Sequence, residues 1–326
     1  MSLLSSAQVD RFEDEGYLVV EDLIDVQSIL DPMVDEYQDL LDRLASDLYA
    51  QGKIPSTYQD LPFGRRLTQV YADTGKVWSQ YFDFSLPFSN VKVDEPCHFG
   101  PAVFAMLRNP NILDVAESLI GPEVYSNPVQ HVRLKPPERL VPRDPETGRV
   151  LLGATNWHQD ASVVIEEADE TNMLTVWVPI VDATEENGCL SIVPQNHHEG
   201  LLQHCVSPVL GNHLPEKYFH ADRALPIPLR RGGALFLHRK TPHSSLSNNS
   251  DDIRWSMDLR YNPTGQPTGR PEFPGFIARS RANPDSELRD PAEWERAWLE
   301  TRARMSGHPE MVGAFFRWKE GDPGCA

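Results

Sequence analysis

The sequence predicts a mainly β core of sandwich or barrel type with flanking helices, and three observations carry that expectation. After Pro122 the hydrophobic pattern changes from a helical period to short β-type runs. The runs are separated by turn formers such as Pro136-Pro137, Glu186-Asn187-Gly188 and Gly232-Gly233. No alternation of strands with helices appears, which argues against a parallel, doubly wound sheet.

Taken in order, Ser5 and Ser6 are N-cap candidates for a short helix through Glu15, stopped by Gly16. Residues 17–20 read as a strand. From Gln27 to about Ala50, Leu30, Met33, Val34, Tyr37, Leu40, Leu41, Leu44 and Leu48 fall on one face of a long helix. Residues 52–64 are turn-rich, and 103–120 predict a further helix ending at Gly121-Pro122. The strands are expected at 129–134, 156–164, 174–181, 189–193, 234–238 and 253–261. Residues 138–153, charged and holding Pro142 and Pro145, predict a long loop placed to act as a lid. A last helix is expected over 291–305, with Trp294 and Trp298 forming a docking face. The expected organisation is one domain, 1–326, with a mostly helical part (1–121), the β core (122–265) and an extension containing a helix (266–326).

Composition narrows the function. The 326 residues carry a formal net charge of -18, which argues against general nucleic-acid or anionic-membrane binding, since both need a basic face. No stretch approaches bilayer-spanning length, and residues 1–10 lack a signal-peptide pattern. The four cysteines have neither zinc-ligand spacing nor the look of a disulfide framework. These features lead to the expectation of a cytoplasmic protein, with no obligate protein partner evident.

The chemistry centres on Asn156-Trp157-His158-Gln159-Asp160. On a strand, residues i and i+2 share a face, so His158 and Asp160 could hold one metal ion together. A second histidine would complete the 2-His-1-carboxylate set, which leaves coordination positions open and suits non-haem Fe(II) oxygenases. In a chain with 11 His and 48 acidic residues, a His-x-Asp pair is expected about once by chance, so the motif needs support. Candidates for the second histidine are His197, His198, His204, His213, His220, His238 and His243. The run 234–238, leading to Thr241-Pro242-His243, puts His238 and His243 ahead. Arg254 lies on the next expected strand, with Ser256 on its face. A buried guanidinium needs an anionic partner. The spacing alone leaves two open: the far carboxylate of a dicarboxylic co-substrate, or an internal acid such as Asp258.

These residues also carry a resemblance. Leu134-Lys135-Pro136-Pro137, Trp157-His158-Gln159-Asp160, Trp177, Asn187-Gly188-Cys189-Leu190 and 238–245 followed by Arg254 resemble, in that order, the phytanoyl-CoA dioxygenase family. The resemblance extends to the N-terminal helix and Gly16-Tyr17-Leu18-Val19-Val20. It implies a double-stranded β-helix, the cupin-like jelly roll, dependent on Fe(II), 2-oxoglutarate and O2. It also implies His158, Asp160 and His243 as iron ligands, and so selects His243 over His238. Arg254 would hold the far carboxylate of 2-oxoglutarate beside Ser245, with Trp177 lining the pocket. His131 matches a position that contacts the co-substrate, although the family has another residue type there. Gln130 and Lys135 are pocket candidates on the same strand, and Ser256 would support the carboxylate through an Arg-x-Ser arrangement. Related halogenases lack the carboxylate that Asp160 supplies, which makes hydroxylation the expected outcome.

Two other readings use the same residues. A catalytically silent jelly roll would be expected to have lost a ligand or the arginine, and all are present. A zinc-dependent hydrolase around an activated water would use the triad but give Arg254 no task.

Overall fold

The computed structural model describes residues 4–87, 89–207, 210–308 and 317–325. Helix α1 (Ser6–Glu15) begins at a capping box, in which the Ser5 hydroxyl accepts from the Gln8 N–H and Gln8 Oε1 accepts from the Ser5 N–H at 3.0 Å. It ends at Gly16, whose φ of 77° is the left-handed conformation glycine adopts without penalty. A side chain there would also collide with the His197 ring and the Thr241 hydroxyl. This sharp stop delivers the chain directly into the first strand.

Among the described residues eleven strands form: β1 (Tyr17–Val20), β2 (Glu123–Lys135), β3 (Leu174–Pro179), β4 (Leu190–Ile192), β5 (Cys205–Ser207), β6 (Gly211–His213), β7 (Leu225–Ile227), β8 (Ala234–His238), β9 (His243–Ser245), β10 (Arg254–Pro263) and β11 (Phe276–Ser280). A six-stranded sheet has the order β1-β8-β3-β10-β2-β11, a three-stranded sheet the order β7-β4-β9, and β5 pairs with β6. Every pairing is antiparallel.

Side-chain alternation sorts the two faces of the large sheet. On β10, Trp255, Met257, Leu259 and Tyr261 join the large core shared with the helices. Arg254, Ser256, Asp258 and Arg260 occupy the opposite face. On that face Trp177, Leu235 and Leu237 pack with Leu190, Ile192 and Ile227 of the small sheet, so the two sheets enclose a second core. The polar residues of β10 are therefore held between sheets.

The helical layer covers the outer face. Helix α2 (Asp31–Ala50) brings Tyr37 to 5.1 Å from the Trp255 ring, and α3 (Phe63–Thr74) stacks Phe63 on it at 4.8 Å. Helix α3 starts at the end of the turn-rich segment 52–64 and runs through residues for which no element was expected. A single turn, α4 (Ser79–Phe82), follows. The helix expected over 103–120 is two helices, α5 (Pro101–Leu107) and α6 (Pro110–Ile120). Pro110 forces the break: it has no N–H and moves Asn109 out of the helical region, and Asn109 then caps α6 through the N–H groups of Asn111 and Ile112. On α7 (Pro291–Gly307), Trp294 and Trp298 pack against Phe99, as a docking face should.

Three further expectations are corrected. More residues are helical than extended, so the chain is a mixed helix and antiparallel-sheet protein rather than mainly β. Residues 156–164 do not form a strand. Cys205 and Cys325 are joined in a disulfide across 120 residues, a pairing that no local spacing could signal. Among the described residues no helix is long and apolar enough to cross a membrane. The segment 138–153 makes a 3-10 turn at Glu138–Leu140 and a bridge between Arg143 and Val150.

Candidate metal and co-substrate site

His158 and His243 meet because their backbones form an isolated antiparallel bridge. The His158 N–H donates to the His243 carbonyl at 3.0 Å, and the His243 N–H donates back at 2.9 Å. Directly opposed residues project the same way, and the two imidazole centres lie 4.2 Å apart. Asp160 does not continue a strand. It opens a 3-10 turn, Asp160–Val163, which carries its carboxylate back under the two rings.

The loop between the ligand candidates is fixed by Gln159, which is fully buried. Its Nε2 donates to the carbonyls of Gly200 (2.9 Å) and Lys240 (2.6 Å), its Oε1 accepts from the Leu202 N–H, and its own N–H donates to His204 Nε2. Gln159 faces away from the two imidazoles and anchors the loop that carries them.

Each imidazole is oriented through Nδ1, which lies 2.9 Å from the Asn156 carbonyl in His158 and 3.0 Å from the Thr241 carbonyl in His243. That assigns the Nδ1 proton to the carbonyl and leaves Nε2 as a bare donor atom. The two Nε2 atoms lie 3.8 Å and 3.9 Å from Asp160 Oδ1, and the three donor atoms lie within 4.8 Å of one another. Two imidazole nitrogens and one carboxylate on a shared focus fit a divalent metal. Burial, followed by repulsion from His243, lowers the His158 pKa to about 3. Burial alone would raise the Asp160 carboxyl. The Arg260 guanidinium, His243 and His158 outweigh it and keep the group ionised.

Arg260 and Thr175 escaped the sequence reading. Arg260 Nη2 donates to Asp160 Oδ1 at 2.5 Å, and the Thr175 hydroxyl donates to Oδ2. The signal was available for Arg260, which continues the period-two face of Arg254, Ser256 and Asp258. Thr175 faces Arg260 directly across the β3–β10 pairing.

A pocket opens beside the triad, lined by Trp177, Leu190, Leu237, Arg133, Arg254 and Asp258 among others. Arg254 is fully buried, donates to Ser256 Oγ and lies 5.8 Å over the Trp177 ring. Among the described residues its Nε has no hydrogen-bond partner, nor has the buried indole N–H of Trp177. Burial lowers the Arg254 pKa to about 10. The internal partner left open from sequence, Asp258, is engaged elsewhere: it accepts from Arg133 Nε at 3.1 Å. A buried guanidinium with an unused donor fits a carboxylate arriving from outside. Ser245 Oγ accepts from Lys135 Nζ (2.7 Å) and the Thr155 N–H (2.8 Å), so its own hydroxyl proton is available to donate. Lys135 is itself buried.

Two expected pocket residues lie elsewhere. Gln130 is on the other face of β2, because neighbours along a strand alternate, and its Nε2 donates to the Phe84 carbonyl at 3.2 Å. His131 has the right face, but its Nδ1 pairs with Asp83 at 2.7 Å and its side chain does not line the pocket. His238 lies with His197, ring centres 4.9 Å apart, outside the triad.

Residues 12–256 match the family model described as phytanoyl-CoA dioxygenase (PhyH). The chain belongs to the phytanoyl-CoA dioxygenase family. It is therefore a non-haem oxygenase dependent on Fe(II) and 2-oxoglutarate. Among relatives, phytanoyl-CoA dioxygenase domain-containing protein 1 of Danio rerio is 26% identical over 278 residues, covering 78% of this chain and 88% of the relative. The 1-deoxypentalenic acid 11-beta-hydroxylase of Streptomyces arenae is 28% identical over 174 residues, covering 50% of this chain and 57% of that one. The solved non-heme monooxygenase ThoJ shares the fold with a TM-score of 0.55, at 16% identity over 93% of this chain and 98% of its own.

Proposed function

We propose that this phytanoyl-CoA dioxygenase family member hydroxylates an unactivated C–H bond of a small molecule, converting 2-oxoglutarate to succinate and CO2. The observation that carries the proposal is the pairing of the His158, Asp160 and His243 triad with the buried, partly unsatisfied guanidinium of Arg254 in one pocket. A hydrolase or a silent scaffold has no use for such a cation beside a metal site.

His158 Nε2, His243 Nε2 and Asp160 Oδ1 would hold the iron, which supplies the O2 chemistry when bound. Arg254 takes the far carboxylate of 2-oxoglutarate, held in place by Ser256 and the Trp177 face, and the Ser245 hydroxyl donates to the same ligand. Leu190 and Leu237 exclude water from the pocket. One oxygen atom of O2 enters succinate and the other the substrate. Asp160 occupies the position whose loss opens related sites to a halide, which favours hydroxylation over halogenation. The chain works as one domain, 1–326, with a double-stranded β-helix at 122–265 whose two sheets enclose the site.

The relative from Streptomyces arenae is named a hydroxylase of 1-deoxypentalenic acid, which supports testing small carboxylic acids and secondary metabolites beside acyl-CoA thioesters. The test is succinate release from 2-oxoglutarate with added Fe(II), O2 and a panel of small natural products and acyl-CoA esters. Substrate-stimulated succinate with a hydroxylated product supports the reading. Absence of both 2-oxoglutarate turnover and 2-oxoglutarate binding refutes it.

A further inference from the structure

Asp160 is gripped at both oxygens by side chains of the large sheet. Its Oδ2 accepts from the Thr175 hydroxyl on β3, and its Oδ1 takes Arg260 Nη2 at 2.5 Å from β10. Arg260 is in turn fixed by Nη1, which donates to the Val129 carbonyl at 3.0 Å. Both Arg260 and Thr175 are buried and stand directly opposite each other in the sheet. Each carboxylate oxygen offers two lone pairs. Arg260 uses one on Oδ1, the oxygen that lies 3.8 Å and 3.9 Å from the two Nε2 atoms, and leaves the other unused.

We propose that Arg260 and Thr175 are positioning residues that keep Asp160 a one-oxygen ligand. With Oδ2 bound to Thr175, the carboxylate cannot rotate to offer both oxygens to a metal. A two-oxygen grip would fill a position that a bidentate keto acid and O2 need. Ion pairing with Arg260 also withdraws charge from Oδ1, so the ligand stays in place without being a stronger donor than the keto acid. This inference rests on the assignment of His158, Asp160 and His243 as metal ligands.

The experiment uses the whole chain with Co(II) in place of iron, followed by calorimetry and visible absorption as 2-oxoglutarate is added. For Arg260→Met, 2-oxoglutarate affinity is expected to fall about 10-fold or more while Co(II) affinity falls less, with a changed Co(II) absorption spectrum. Arg260→Lys is expected to recover part of the loss. Thr175→Val, which keeps the side-chain shape, is expected to shift both readings in the same direction, and it stands in if Arg260→Met fails to fold. Unchanged 2-oxoglutarate affinity and spectrum in the variants would overturn the proposal. So would equal losses of Co(II) and 2-oxoglutarate affinity in Arg260→Met and Arg260→Lys, the mark of a purely structural role. A wild-type chain that binds no Co(II) brings down the ligand assignment and the proposal with it, whereas variants that match a Co(II)-binding wild type bring down the positioning role alone.

Discussion

Asp258 gives its Oδ2 to Arg133 Nε at 3.1 Å and leaves Arg254, four residues earlier on the same strand face, with a serine as its hydrogen-bond partner. The arrangement keeps Arg254 available for an incoming carboxylate. Arg133→Met should release Asp258 to compete for Arg254 and weaken 2-oxoglutarate binding about 10-fold, the equivalent of one charge-assisted hydrogen bond. Calorimetric titration checks this, and an unchanged dissociation constant would show that Asp258 does not bear on the co-substrate site.

The Asp160–Arg260 pair is buried on both sides, with side-chain exposures of 1% and 6%. Asp160→Ala would leave a guanidinium buried without its carboxylate, and breaking such a pair costs about 3–5 kcal/mol. Adding Arg260→Met to the same chain should recover much of that loss, because two apolar groups replace two charges. Urea denaturation of the metal-free variants measures both, and additive losses would mean that the two residues do not act as a pair.

The acid limb of stability should depend on His238. Burial, followed by His197, Arg239 and Lys240, lowers its pKa from 6.5 to about 3, and its Nδ1 accepts from the Lys240 N–H. The folded state therefore binds this proton more weakly than the unfolded chain does. The stability it contributes is complete above about pH 6.5 and is lost as the pH falls toward about 3. His238→Gln should flatten the decline of unfolding free energy with falling pH below about 6.5 and leave Co(II) binding intact. A variant that loses Co(II) would return His238 to the ligand set.

The Cys205–Cys325 disulfide ties residues 317–325 to the back of the ligand loop. Trp318 packs at a tilt against His204, ring centres 5.2 Å apart, and donates to the Ser162 carbonyl, and Arg317 pairs with Asp169. Cys325→Ser should lower the unfolding free energy by about 2–4 kcal/mol and speed proteolysis of this segment. Thiol titration in denaturant should find two free cysteines, Cys97 and Cys189, in the wild type. Four reactive thiols in freshly prepared protein would contradict the tie.

Much of this site was legible because it obeys local rules. The Ser5 box, the Gly16 stop and the period-two face of β10 are written in adjacent residues, and the ordered motifs carried the family resemblance. What was hidden depends on long-range pairing. His158 and His243 meet through a single bridge between residues 85 apart in sequence. The expected strand at 156–164 gave way because Gln159 is anchored to Gly200, Leu202 and Lys240 instead of to a neighbouring strand. Gln130 was placed in the pocket without regard to alternation, although His131 and Gln130 cannot share a face. Arg260 lies on the same alternating face, four residues beyond Ser256, and that face was followed only as far as Asp258.

The central claim is that a metal triad and Arg254 form one co-substrate site. Calorimetry of 2-oxoglutarate binding to the Co(II)-loaded wild type and Arg254→Met tests it most directly. The account predicts tight, Co(II)-dependent binding in the wild type. In the variant it predicts a loss of about 10- to 100-fold, as expected for a severed charge-assisted carboxylate clamp, with Co(II) affinity retained. Equal 2-oxoglutarate affinity in the two proteins, or loss of Co(II) without loss of 2-oxoglutarate, would contradict it.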